Sequence, residues 1–138
     1  MKSKICRNCK EEKPETEFFF SGHETLAGKK IRDTLCKTWK VVYKREQRQK
    51  VRDWIKELKE DSGCAKCEYS KETHPSFKAS ALTFHHAQDN KEFWIADAAN
   101  RGYSKKTIQK EIDKCVLICV RCHAEIHSHE WDLKMTKT

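Results

Sequence analysis

The spacing of apolar residues predicts a long amphipathic helix in the first half of the chain. Residues 40–62 contain no Gly or Pro, and their apolar positions recur at intervals of three and four residues, as one face of a helix requires. These positions are Val51, Trp54, Ile55 and Leu58. Ser62 and Gly63 follow and predict the end of the helix.

Shorter apolar runs predict strands on both sides of this helix. Residues 1–39 combine the aromatic run Phe18 to Phe20 with a Gly-containing turn region, which favours short strands joined by turns. The apolar and β-branched runs at residues 81–86 and 116–118 each predict one strand. Two further helices are predicted, one from Ser104 as N-cap to Lys114 and one over residues 122–129.

These elements predict an α+β protein in three segments: an N-terminal cysteine-containing module (residues 1–39), a basic linker helix (40–62) and a compact domain (63–138). A chain of 138 residues that is 37% hydrophobic and 36% charged can form one modest core, so we expect added cross-links or metal ions. Residues 1–13 do not resemble a signal peptide, which predicts a reducing, cytoplasmic location with thiols available for metal. No apolar run approaches the ~20 residues of a membrane-spanning helix, so no membrane partner is expected.

The charge distribution predicts a polyanionic partner. The net charge is +8, and residues 1–62 carry 17 Lys/Arg against 11 Asp/Glu. Between Lys37 and Arg52 there are seven basic residues and one acid, Glu46. The side chains that we expect to contact nucleic-acid phosphates are Lys40, Lys44, Arg45, Arg48 and Arg52. The alternative is a helix whose charges are merely solvated.

Two Cys-x-x-Cys pairs predict a structural zinc site. Cys64 and Cys67 form the first pair, and Cys119 and Cys122 form the second. Four thiolates can surround Zn²⁺ tetrahedrally in a closed site that contributes directly to folding. The 51 residues between Cys67 and Cys119 exceed ordinary zinc-finger spacing, which indicates an inserted functional segment.

A second cysteine group in the N-terminal module is one ligand short. Cys6, Cys9 and Cys36 are present, but Trp39 stands where a fourth cysteine is expected. Either His23 completes a second zinc site, or the module binds no metal and packs its aromatic residues into a small core. The aromatic residues concerned are Phe18, Phe19, Phe20 and Trp39.

Four histidines indicate a second kind of metal site. His85 and His86 are adjacent on a predicted strand and therefore point to opposite faces. His123 and His127 are four residues apart, so a helix places both imidazoles on one side, where they can share an ion. A histidine-built site with open coordination positions is typical of catalytic metals.

These motifs together resemble the HNH endonuclease family. The run Leu82 to His86, a later Lys91 and residues 111–127 are similar to small phage and bacterial members whose ββα-metal motif is held by two Cys-x-x-Cys knuckles. The resemblance covers roughly residues 63–129. It implies a zinc-held ββα-metal nuclease domain that cleaves DNA in homing, phage DNA processing or restriction. It further implies His85, His123 and His127 as ligands of a catalytic divalent metal, with His86 as general base.

One position departs from the family pattern. The central Asn of the family should lie five residues before Cys119, where this chain has Lys114. That Asn fixes the loop between strand and helix through backbone hydrogen bonds, whereas a Lys can donate to carbonyls but cannot accept from an N–H. Lys114 can instead contact phosphate or lie solvated, and Asn90 or Asn100 can take the Asn role.

Several alternatives stay open on the sequence alone. A non-catalytic zinc module that binds nucleic acid or a protein is the second hypothesis, because Lys114 and Trp39 depart from expected patterns. Double-stranded DNA is the expected substrate, with RNA as the alternative, and the protein can be a monomer or a homodimer. Three imidazoles suit Zn²⁺, Ni²⁺ or Mn²⁺ better than Mg²⁺, although availability in the cell favours Mg²⁺.

Overall fold

The computed structural model of the protein describes residues 2–135 as a chain of helices with three small sheets, which confirms the α+β class. The strands are β1 (Ser3–Ile5), β2 (Glu12–Pro14), β3 (Phe18–Glu24), β4 (Lys30–Cys36), β5 (Leu82–His86) and β6 (Cys115–Cys119). The α-helices are α1 (Lys37–Ser62), α2 (Ile95–Ala98), α3 (Lys105–Ile112) and α4 (Val120–Met135). The chain divides into two compact units, Met1–Gln47 and Arg48–Thr138.

The first unit consists of two antiparallel hairpins and the start of α1. β1 pairs with β2, and β3 pairs with β4 so that Phe18 lies opposite Cys36. Phe18, Cys6 and Cys36 are fully buried and form the core of this unit. The prediction of short strands joined by turns is therefore confirmed for residues 3–36, whereas residues 37–39, which were predicted to belong to the same module, form the start of α1.

The aromatic core considered for this unit is not formed. Phe19, Phe20 and Trp39 are 43%, 54% and 36% exposed, and only Phe18 is buried. Successive strand residues face opposite sides, which turns Phe19 outward, and a register shift between Phe18 and Phe20 breaks the alternation that would bring Phe20 inward. The guanidinium of Arg32 lies 3.8 Å from the centre of the Phe20 ring instead.

The second unit is built around the β5–β6 hairpin, whose strands are antiparallel and in unbroken register from Leu82 opposite Cys119 to His86 opposite Cys115. One core joins the hairpin to the second cysteine pair, and it consists of Leu82, Ile118, Cys119 and Cys122. A second core joins α2 and α3 to α1. Its buried residues are Ile95, Ala98 and Ile108, with Val51, Trp54 and Ile55 of α1 packed against them.

The helix ends follow the local sequence. Gly63 adopts φ 65° and donates its N–H to the carbonyl of Lys59 at 3.1 Å, which ends α1. A Cβ on Gly63 would lie 2.8 Å from Cβ of Ser70, so this position requires glycine for space as well as conformation. At α3, the Ser104 side chain accepts a hydrogen bond from the Thr107 N–H, as predicted for an N-cap.

The predicted helices exist, but their bounds differ from the sequence pattern. α1 begins three residues before position 40, and α4 begins two residues before position 122 and continues to Met135. The short helix α2 was not predicted, because its four residues are too few to show a period. Within the described residues, no helix combines the length and apolar content needed to cross a bilayer.

Candidate metal centres

The four cysteines of the second unit form a cluster with the dimensions of a zinc site. Their sulfur atoms all lie within 4.8 Å of one another. Sγ of Cys64 is 3.9 Å from that of Cys122, and Sγ of Cys67 is 3.7 Å from that of Cys119. Zn–S bonds of 2.3 Å at tetrahedral angles place two sulfurs about 3.8 Å apart. The cysteine cluster can therefore hold a metal ion such as zinc.

Local backbone structure positions these sulfurs and favours the ionised form of Cys64. The backbone N–H groups of Cys67 and Cys119 donate to Sγ of Cys64 at 3.4 and 3.2 Å. Burial opposes ionisation of Cys64, but these N–H groups outweigh it and lower its pKa to about 6. Burial and the neighbouring thiols raise the pKa of Cys122 to about 12. Four thiolates together consequently require a bound cation.

The first unit contains a second cluster made of three cysteines. The sulfurs of Cys6, Cys9 and Cys36 lie within 4.8 Å of one another. The backbone N–H of Cys36 donates to Sγ of Cys6 at 3.4 Å, and such backbone donors outweigh burial and lower the pKa of Cys6 to about 6. These three sulfurs can likewise hold a metal ion such as zinc.

His23 does not join this cluster. Among the described residues, the potential ligand group contains only the three cysteines, and His23 is an exposed residue of β3. The expectation that His23 supplies the fourth ligand is therefore wrong. The ammonium of Lys13 lies near the cluster, 3.8 Å from Sγ of Cys36.

The structure brings His85, His123 and His127 together. His85 lies on β5 and the other two on α4, and one nitrogen from each ring lies within 4.8 Å of the others. The Nε2 atoms of His123 and His127 are 3.1 Å apart. Metal–nitrogen bonds of 2.0–2.1 Å place two ligands about 3.0 Å apart in an octahedron and about 3.4 Å apart in a tetrahedron. The three histidines thus have ligand spacing suited to one divalent ion.

His86 occupies a different environment from His85. Its side chain is 12% exposed, and its Nε2 lies 2.7 Å from Oε1 of Glu111 on α3. Glu111 is only 1% exposed. In the part of the chain that the structure describes, no other charged residue is fully buried. This carboxylate was not among the residues predicted from the sequence. Its signal is a Glu three residues after Ile108, on the face of α3 that packs into the core.

Three groups form hydrogen bonds with the Glu111 carboxylate. Besides His86, the backbone N–H of Glu92 donates to Oε1 at 2.9 Å, and the Lys114 ammonium donates to Oε2 at 2.9 Å. Burial opposes ionisation of Glu111, but these hydrogen bonds outweigh it and lower its pKa to about 2. Glu111 is therefore a carboxylate at neutral pH.

Lys114 links this carboxylate to the segment that follows β5. Its ammonium also donates to the carbonyl of Asn90 at 3.3 Å and to the Glu92 side chain at 3.1 Å. The hydrogen bonds to Glu111 and Glu92 raise the pKa of Lys114. Asn100 is engaged elsewhere, because its side-chain oxygen accepts from Arg52. Lys114 thus binds the backbone of the segment that follows β5.

The predicted phosphate-contacting residues divide into two groups. Lys40 forms an ion pair with Asp33 at 2.7 Å, and Arg52 donates to the side chains of Gln49 and Asn100. Lys44, Arg45 and Arg48 are exposed on α1. These three side chains are therefore exposed to solvent, as a contact with phosphate requires.

Comparison with known proteins gives no relative from which a role can be transferred. No family model, curated protein or solved structure matches the chain.

Proposed function

We propose that this protein is a metal-dependent endonuclease or nickase that hydrolyses phosphodiester bonds in DNA. The observation that carries the proposal is the convergence of His85, His123 and His127, together with a fourth histidine on the same strand that is held by a buried carboxylate. A module that only binds zinc has no need of this histidine arrangement. The cysteine cluster of the second unit would supply the structural zinc.

The order of elements around the histidines supports a likeness to HNH endonucleases. An antiparallel hairpin, β5–β6, leads directly into α4, and the histidine ligands come from the first strand and the helix. This is the arrangement expected of a ββα-metal motif. Lys114 takes part in the role of the missing Asn, because it binds the backbone carbonyl of Asn90.

The proposed mechanism assigns separate tasks to adjacent residues. His85, His123 and His127 would hold a divalent ion, whose positive charge stabilises the charge that develops on the phosphate in the transition state. His86 accepts a proton from the attacking water through the ring nitrogen that does not face Glu111. Alternation along β5 separates the metal-binding residue from the base although they are neighbours in sequence.

Three imidazoles favour Zn²⁺, Ni²⁺ or Mn²⁺ over Mg²⁺, which prefers oxygen ligands. Lys44, Arg45 and Arg48 are the side chains that we propose contact the DNA backbone. Double-stranded DNA fits the net charge of +8.

Cleavage of supercoiled plasmid tests the proposal. Wild-type protein is assayed with Mg²⁺, Mn²⁺, Ni²⁺ or Zn²⁺ and with chelator, beside the variants His86→Ala and His23→Ala. We expect metal-dependent nicked or linear product that falls at least ~100-fold in His86→Ala and is unchanged in His23→Ala, a histidine outside every cluster. Circular dichroism and zinc content establish that both variants are folded.

DNA binding without cleavage in the presence of each of these metals would contradict the proposed enzymatic activity. That result would favour the second candidate, a zinc module that binds nucleic acid, in which Lys114 and Glu111 have a purely structural role.

A further inference from the structure

A buried carboxylate lies directly behind the proposed general base. Glu111 is buried on α3, one turn after the core residue Ile108, and its Oε1 is 2.7 Å from Nε2 of His86. An ionised side chain is costly to bury unless each oxygen has donors. A carboxylate at this place in a small core therefore requires an explanation beyond packing.

The donors around Glu111 determine the direction of the hydrogen bond to His86. The N–H of Glu92 and the ammonium of Lys114 can only donate, and together they occupy both carboxylate oxygens. These contacts keep Glu111 ionised, so it can only accept from His86. The neutral His86 ring must then carry its proton on Nε2, which leaves the lone pair on Nδ1.

We propose that Glu111 is a positioning residue for His86, holding the imidazole in one orientation with Nδ1 available to accept the proton of the attacking water. This inference rests on the proposed nuclease activity. A general base contributes only when it lies within hydrogen-bond reach of the proton that it removes, so a fixed ring orientation raises kcat and not substrate binding.

Lys114 extends this support to the backbone. It binds both Oε2 of Glu111 and the carbonyl of Asn90, four residues after His86. The carboxylate that orients the base is thereby tied to the segment leaving β5. The Glu92 N–H binds the same carboxylate from that segment, so two contacts hold α3 and residues 90–92 together around His86.

Two substitutions at Glu111 separate its hydrogen bonding from its packing. Glu111→Met keeps nearly the same size and removes every acceptor. Glu111→Gln keeps one carbonyl oxygen that can still accept from the Glu92 N–H and from His86, at the expense of the Lys114 contact. Asp113→Asn is the matched control, because it removes an exposed carboxylate two residues away whose partner is Gln109.

The full-length, zinc-loaded protein is studied by ¹⁵N-histidine NMR and by plasmid cleavage kinetics. We expect a slowly exchanging Nε2 proton on His86 in the wild type and in Glu111→Gln, and its loss in Glu111→Met. We expect kcat to fall by about 10-fold or more in Glu111→Met, with KM within about twofold, and to fall less in Glu111→Gln. Asp113→Asn should match the wild type in both measurements.

The inference is overturned if His86 carries its proton on Nδ1 in the wild type, or if folded Glu111→Met retains wild-type kcat. Should Glu111→Met not fold, the wild-type NMR and the Glu111→Gln variant still decide. A Gln variant in which the Nε2 proton and activity are kept together, or lost together, supports positioning. One that keeps the proton but loses activity as His86→Ala does, or loses the proton but keeps wild-type activity, contradicts it. Absence of cleavage by the wild type would refute the nuclease itself, whereas the His86 proton would still report whether the hydrogen bond exists.

Discussion

At the scale of single residues, adjacent phenylalanines have opposite roles. Phe18 is fully buried between Cys6 and Cys36, whereas Phe19 is 43% exposed on the other face of β3. We expect Phe18→Ala to lower the free energy of unfolding of the first unit by about 3–5 kcal/mol. Phe19→Ala is the matched control and should change it by less than about 0.5 kcal/mol.

Urea unfolding, monitored through the NMR signals of residues 2–47, measures the free energy of unfolding of the first unit alone in both variants. Equal effects of the two substitutions would contradict the structure, in which Phe18 is buried and Phe19 is not. The sequence did not distinguish these residues, because three consecutive aromatics give no alternation from which a buried face can be assigned.

Glu111 shows a second limit of sequence reasoning at this scale. A Glu within a helical pattern is ordinarily solvated, and its burial depends on donors from three separate places: β5, residue 92 and Lys114. Only the fold brings these donors together. Helical spacing predicted that His123 and His127 share one side of α4, and the resemblance to HNH endonucleases implied that His85 joins them; the three do lie together.

At the scale of elements, α1 has an apolar side and an exposed basic group. The apolar spacing of Val51, Trp54 and Ile55 predicted the packing of this helix, and these residues do lie against the second core. Of the five basic residues predicted to contact phosphate, two are engaged by other side chains. Lys40 is paired with Asp33 of β4, and Arg52 is bonded to Asn100; both partners lie outside α1, so the helical pattern does not reveal them.

The remaining exposed cations of α1 give a prediction about DNA binding. Replacing Lys44, Arg45 and Arg48 with Ala should weaken affinity and reduce the slope of log K against log salt by up to about three, since each phosphate contact contributes about 0.9. The control is a triple Ala variant of three exposed lysines elsewhere, Lys66, Lys71 and Lys106. Fluorescence anisotropy over a salt series measures both. Equal losses in the two variants would indicate net charge and not a local contact.

At the scale of the whole molecule, each of the two units contains its own cysteine cluster, and the first unit has one small core whereas the second has two. None of these cores is large, so each unit depends on its cluster for stability if metal is bound. The four-cysteine cluster was predictable from two knuckles of standard spacing. The three-cysteine cluster was predictable in its sulfurs but not in its remaining ligand, which the local sequence does not specify.

Zinc content of single variants tests this separation. Cys9→Ser should remove one tightly bound zinc per chain and disorder the NMR signals of the first unit, while signals from β5 and β6 remain. Cys64→Ser should remove one zinc and disorder the second unit, because its sulfur accepts two backbone N–H bonds within that cluster. Cys115→Ala is the control, since this thiol belongs to neither cluster, and it should retain the wild-type zinc content.

Unchanged zinc in Cys9→Ser would show that the first unit folds without metal, with Phe18 and the reduced thiols as its core. A single substitution that disordered both units would instead show that the two clusters stabilise one cooperative structure.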